Sequence, residues 1–171
     1  MIVIINGPLG VGKSETSWRL LRRFSLAVML DGDFIAAFHP FDYYDQNHLD
    51  YAYETFAVLV AHHYRHGTEH IIINWVLESP EQLAKLQQRV HIAGVPIYTY
   101  RLYCDPEVIS SRIRQRNLPD LAFELRRSRE LVDILEVAAQ GGEFGVVIDT
   151  TRLSVEQTVD ALWNDIQKRR G

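Results

Sequence analysis

Gly7, Gly12, Lys13 and Ser14 are spaced as G-x-x-x-x-G-K-[ST], with a further glycine, Gly10, inside the stretch "GPLGVGKSE". Backbone N–H groups converge on phosphate oxygens only where side chains are absent and positive φ is permitted, and glycine meets both demands. Gly7, Pro8, Leu9, Gly10, Val11, Gly12, Lys13, Ser14 and Glu15 are therefore candidates for a polyphosphate cradle. A helix opening at the lysine would add unpaired N–H groups and a partial positive charge. Lys13 can reach the β and γ phosphates of a nucleotide, and the Ser14 hydroxyl can ligate Mg²⁺.

Two more groups could act on a phosphate. "LDGDF" sets Asp31 and Asp33 one residue apart. Phosphoryl transfer is mostly positioning and charge neutralisation, with one carboxylate orienting the attacking hydroxyl. Taken alone, D-G-D is also an ordinary acidic turn. Arginines crowd residues 112–129: Arg112, Arg114, Arg116, Arg126, Arg127 and Arg129. A guanidinium stacks on a ring or makes bidentate contact with phosphate oxygens, and it equally suits a solvated helix face.

These groups work only if secondary structure delivers them. Runs at 1–6, 26–30, 70–76, 96–103 and 144–149 are rich in β-branched and apolar residues and are predicted as strands. Several are apolar at nearly every position, as a strand covered on both faces requires. Helical spacing places Trp18, Leu21 and Phe24 on one face. It groups Leu49, Ala52, Phe56, Leu59 and His63 on a second, and Leu83, Leu86 and Val90 on a third. Further helices are predicted over 106–116 and 122–139, and a last one opens at Ser154 with Gln157 as its capping-box partner. Gly67, Gly94 and Gly141 fall where helices should stop. Strands alternating with helices imply a parallel sheet wrapped on both faces.

At 171 residues, 47% hydrophobic and 23% charged, the chain fits one domain over 1–171. A net charge of -4 argues against a nucleic-acid-coating surface. Cys104, the single cysteine, cannot form an intrachain disulfide, so a reducing cytoplasm is expected. "MIVIIN" does not read as a signal peptide and "HIIINWVL" is too short to span a bilayer, so no membrane partner is expected.

With loop and elements in place, the chain resembles the small P-loop kinases over nearly its whole length: gluconate kinase, adenylylsulfate kinase, shikimate kinase and chloramphenicol phosphotransferase. The resemblance rests on the loop at 7–14, on "DGD" after the second strand, on arginines following "CDP" and on "VVIDTT" before a final helix. The guanine-reading N/T-K-x-D and the D-x-x-G switch of GTPases are not found, and motor or helicase chains need far more length. The resemblance implies an α/β three-layer sandwich of the P-loop NTPase fold, its five-stranded parallel sheet ordered 2-3-1-4-5. It implies ATP and Mg²⁺ as cofactors and a small-molecule hydroxyl as acceptor. Asp33 would hold that hydroxyl and take its proton, while Asp31 would steer Mg²⁺ together with Ser14. Residues 112–129 resemble the lid, with Arg112 assigned to stacking on adenine and Arg116 to phosphate. Thr151 and Arg152, in "DTTRLS", would border the base. Two positions depart from the group. Glu15 stands where a threonine or serine would help bind the α phosphate, and its carboxylate is expected to point outward. Asn74 stands where many P-loop proteins place a metal-steering aspartate.

The acceptor is expected between Asp33 and the helix starting near Asn47. From Phe24 through Tyr64 there is no lysine or arginine, whereas Asp31, Asp33, Asp42, Asp45, Asp50 and Glu54 all fall in that window. Anionic acceptors are usually clamped by arginine or lysine. A neutral or cationic hydroxylated acceptor is therefore expected, such as a sugar, nucleoside or antibiotic, unless a lid arginine or Arg65 supplies the clamp. The alternatives are a nucleoside monophosphate kinase and a nucleotide-binding regulatory protein with little catalysis. The chain is expected to act as a monomer or homodimer. His62 and His66, four apart, are read as a half-exposed helix end, and Trp75 as core.

Overall fold

Apolar runs buried on both faces need a layer of helices above and below, and the chain supplies them in alternation. The computed structural model describes residues 1–40, 42, 45–116, 119–140 and 144–171. In chain order the elements are β1 (Ile2–Asn6), α1 (Lys13–Leu21), β2 (Ala27–Asp31), α2 (Gly32–Ile35), α3 (Gln46–Arg65), β3 (His70–Asn74) and α4 (Pro80–Val90). They continue with β4 (Ile97–Tyr103), α5 (Pro106–Arg114), α6 (Leu121–Gln140), β5 (Val146–Asp149) and α7 (Val155–Arg170). All strand pairs are parallel, and the sheet order is β2-β3-β1-β4-β5. This is the expected three-layer P-loop fold.

β1 lies at the centre of the sheet, and its side chains alternate between two cores. Ile2 and Ile4 pack with Ile71, Ile73, Phe56 and Leu86 against α3 and α4. Val3 and Ile5 pack with Ile72, Leu102, Ile109 and Leu162 against α5 and α7. The chain leaves β1 first toward β2 and β3 and later toward β4 and β5, so the order reverses beside β1. In open α/β sheets ligands bind in the crevice at the carboxyl ends of the strands at such a reversal. Here those ends are Asn6, Asp31, Asn74, Tyr103 and Asp149.

Several expectations need correction. The buried face of α1 runs through Lys13, Thr16, Ser17 and Leu20, while Trp18 is exposed. The phosphate loop sets the rotation of α1, and the small Thr16 and Ser17 let the helix approach the sheet. The third strand ends at Asn74 instead of 76, because Leu77 N donates to the Asn6 side chain and draws the chain out of the sheet. "DGD" is more than a turn: Asp31 caps the short helix α2, its carboxylate accepting from Asp33 N at 3.0 Å. α4 stops at Val90, and Gly94 lies beyond it in a turn closed by Val95 N to Ile92 O. Ser154 and Gln157 form the predicted capping box of α7. Gly141, and Phe41, Tyr43 and Tyr44 of the acidic window, lie outside the described residues, as do Asn117 and Leu118.

Candidate active site

The loop between β1 and α1 is tied down at its start by one side chain. Asn6 is fully buried, and its Oδ1 accepts from Gly7 N (2.7 Å) and Leu77 N (2.9 Å) while its Nδ2 donates to Leu77 O (2.9 Å). The first residue of the cradle is thereby joined to the segment after β3. At the other end Gly12 takes φ +104°, a left-handed conformation that favours glycine. Among the described residues no atom beyond its neighbours along the chain lies within 4 Å of where its Cβ would stand, so the loop keeps an open face there.

Lys13 is buried, and its ammonium donates to Gly7 O (2.9 Å) and Pro8 O (3.2 Å), spanning the loop from within. Burial pushes its pKa down to about 8; Asp33 and Asp31 oppose that shift and Arg116 adds to it. Ser14 Oγ donates to Asp31 Oδ2 at 3.3 Å. A hydroxyl and a carboxylate side by side at the start of α1 are the hard oxygen donors Mg²⁺ takes, a cation that keeps several of its own waters. The pair therefore fits that ion. Asn74 is buried beside Asp31 in register, and its amide meets Met29 Sδ at 3.5 Å.

Asp33 stands beyond Asp31 at the start of α2. Among the described residues its carboxylate accepts no hydrogen bond. The residue is exposed, and its carboxylate opens on a cavity beside the loop. Partial desolvation by the surrounding protein raises its pKa, Lys13 opposes the rise, and Asp31 adds to it. The cavity has a volume of about 420 Å³. One wall is Asp33, Ala36, Ala37, Phe38, Asp42 and the start of α3 at His48 and Leu49. The acceptor was expected there, but the opposite wall was not foreseen. It comprises Leu9, Trp75, Val76, Glu78 and Gln82, with Phe123, Glu124, Arg127 and Leu131 from α6. Trp75 serves two purposes, packing against Tyr53 and Phe56 in the core and presenting its outer side to the cavity.

The arginines divide. The Arg112 guanidinium donates to Thr150 O (2.9 Å), Thr150 Oγ1 (3.3 Å) and Val11 O (3.3 Å), bridging the phosphate loop to the turn after β5. Arg116 is exposed just past α5, near enough to Lys13 to lower its pKa. Arg126 and Arg129 are exposed and pair with Glu130 and Glu107. Arg127, which the sequence left between a phosphate-facing lid and a solvated helix face, takes a third place. It is buried in the cavity wall and paired with Glu78 and Glu130. Its spacing with Leu131 and Leu135 at i, i+4 and i+8 was the signal that it shares their buried face. Arg65 is not a clamp: it donates to Ala61 O at the far end of α3, about 24 Å along the helix from the cavity-lining Leu49.

Thr151 Oγ1 accepts from Asp105 N (3.0 Å), closing the start of α5 against the turn, and Arg152 beside it is exposed. Glu15 points outward, accepting from Arg19 Nε at 2.7 Å. His62 and His66 lie with ring centroids 4.5 Å apart on the exposed end of α3. Among the described residues no three His, Cys, Asp or Glu side chains are grouped to hold a metal ion, and no helix is long and apolar enough to cross a membrane.

Comparison with known proteins agrees with this geometry. No curated protein sequence matches the chain. A tunicamycin resistance protein from Deinococcus radiodurans has a similar structure, with TM-score 0.69 and 18% identity, over 96% of this chain and 94% of that one. A sugar kinase from Janibacter sp. HTCC2649 aligns with TM-score 0.74 and 18% identity, over 95% of this chain and 92% of that one. Shikimate kinase from Bacteroides thetaiotaomicron aligns with TM-score 0.68 and 14% identity, over 98% of each. Identities this low establish a shared fold and nothing finer. Residues 2–127, covering the phosphate loop, the aspartate pair and most of the arginine segment, match the family model described as AAA domain. The chain therefore belongs to the AAA domain family AAA_33 and has the fold of the small P-loop kinases.

Proposed function

We propose that the protein is a kinase that moves the γ-phosphoryl group of ATP to a hydroxyl of a small neutral or cationic molecule. The observation that carries this reading is Asp33. A carboxylate that accepts no hydrogen bond among the described residues, within electrostatic reach of Lys13, opens on a cavity of about 420 Å³ next to the phosphate loop. Such a group is placed to accept the proton of an acceptor hydroxyl while the new O–P bond forms and the bond to ADP breaks.

The backbone N–H groups of residues 7–14 hold the phosphates, and Lys13 exchanges Gly7 O and Pro8 O for phosphate oxygens. Ser14 and Asp31 would supply oxygen ligands to Mg²⁺, which would offset the negative charge of the phosphates. Arg116 closes on the phosphates from the end of α5. Arg112, Thr151 and Arg152 border the base, Arg112 through the turn it already braces. The cavity's carboxylates Asp33, Asp42 and Glu124 favour a neutral or cationic acceptor over a nucleoside monophosphate. One observation favours a second reading, a nucleotide-binding regulatory protein: the amide of Asn74 occupies the place of a metal-steering carboxylate.

Single-turnover ADP release in the presence of sugars, nucleosides and hydroxylated antibiotics separates the two. For a kinase, one acceptor class accelerates release, and Asp33→Asn removes about 10²-fold or more of that acceleration. Release that no acceptor stimulates, or that Asp33→Asn leaves intact, refutes the kinase reading.

A further inference from the structure

Arg127 and Glu78 meet across the cavity wall, one from α6 and the other from the turn between β3 and α4. Arg127 is 6% exposed, and the Glu78 side chain, bonded to its Nη2, is 19% exposed. Arg127 Nη1 also reaches Glu130 Oε2 at 3.5 Å. A largely buried charge-assisted pair holds its two charges together and presents little net charge to a neighbour.

The pair is anchored at both ends to the phosphate loop. Leu77, beside Glu78, is held by Asn6, and Ser128, beside Arg127, donates its hydroxyl to Leu9 O at 2.8 Å. Among the described residues lining the cavity, Arg127 is the only lysine or arginine, while Asp33, Asp42 and Glu124 add negative charge. A carboxylate or phosphate entering here would meet like charges, and Arg127 already has its partners. Phe38, Trp75 and Phe123 offer apolar walls for the remainder of a ligand.

We propose that Glu78 sets the charge class of the acceptor: by holding Arg127 it turns what would be an anion clamp into a wall without net charge. The cavity then selects cationic or neutral ligands over anionic ones. Glu78 is a positioning residue here, acting through the arginine. The proposal rests on the kinase reading for the word acceptor, whereas the charge selection is a property of the cavity itself.

The test uses three probes of matched shape, benzylamine, benzyl alcohol and benzoate. They are titrated by calorimetry into the full chain with Mg²⁺ and a non-hydrolysable ATP analogue, and again without nucleotide. Failure to bind nucleotide would count against the kinase reading, and the order of the probes would still decide the role of Glu78. The wild type is expected to bind benzylamine most tightly and benzoate most weakly, about tenfold or more apart. Glu78→Gln removes the nearest opposing charge from the guanidinium and is expected to improve benzoate relative to benzylamine by about tenfold or more. The double variant Glu78→Gln/Arg127→Met should lose that gain, whereas a merely structural role would weaken all three probes together. Should Glu78→Gln fail to fold, Arg127→Met decides: benzylamine preference must grow, and a fall overturns the proposal. Benzoate binding the wild type as well as benzylamine, an unchanged order in folded Glu78→Gln, or no binding by any probe overturns it too.

Discussion

Lys13 carries its charge at a cost set by burial, and that cost makes nucleotide binding depend on pH. With its pKa lowered to about 8, the free protein loses this positive charge in the mildly alkaline range. Phosphate oxygens around the ammonium favour the charged form, so binding above about pH 8 takes up a proton. The dissociation constant for Mg-ATP is expected to be flat below about pH 8 and to rise by up to about tenfold per pH unit above it. Calorimetry in two buffers of different ionisation enthalpy checks this, because proton uptake should approach one and should vanish in Lys13→Met. The stability effect has a definite sign. The unfolded chain holds the proton up to its ordinary pKa of 10.5, so between about 8 and 10.5 the unfolded state binds more protons. The penalty for burying the ammonium is therefore full below about pH 8 and is relieved as pH rises toward 10.5. The spacing of Gly7, Gly12, Lys13 and Ser14 was legible in the sequence because neighbours along the chain make the cradle. The pairing of Arg127 was not, because its partner Glu78 is 49 residues away and only packing joins them.

At the scale of elements, two joints hold the site together. Gly32 opens α2 against the ring of Trp75, and a Cβ there would fall 2.1 Å from Trp75 Cγ. Trp75 is fixed in the core by Tyr53 and Phe56, so it cannot swing aside cheaply. Gly32→Ala is expected to destabilise the fold by about 1–3 kcal/mol and to displace Asp33, lowering transfer far more than nucleotide affinity. Urea melts and nucleotide titrations on the same variant check both parts. Asn6 is the second joint. Asn6→Ala strands Gly7 N and the polar groups of Leu77 in a dry interior, and a loss of at least about 2 kcal/mol is expected. Chemical denaturation measures the loss; a change under about 0.5 kcal/mol would mean that water replaces the amide. The rotation of α1 was not legible at this scale. Its apolar residues Trp18, Leu21 and Phe24 suggested one buried stripe, but the requirement that Lys13 face the loop turns the helix onto Thr16 and Ser17. The capping box at Ser154 was legible because both of its bonds are local.

Across the whole molecule, alternating apolar runs and helical periods announced a parallel sheet with helices on both faces, whereas the strand order came from resemblance to the small P-loop kinases. Periodicity contains no record of which strand lies beside which. The cavity shows the same limit. Its first wall, from Asp33 to Leu49, is nearly continuous in sequence and was foreseen, whereas α6 and the turn after β3 are brought to it only by the fold. The central claim is that the loop of residues 7–14 grips a nucleotide's phosphates while Asp33 faces the acceptor and takes no part in that grip. Calorimetric titration of wild type, Lys13→Met and Asp33→Asn with Mg-ATP in the absence of acceptor tests it most directly. Saturable one-to-one heat is expected for wild type and for Asp33→Asn, with affinity lowered about 30-fold or more in Lys13→Met. No heat from the wild type, or equal affinity in wild type and Lys13→Met, would contradict the account.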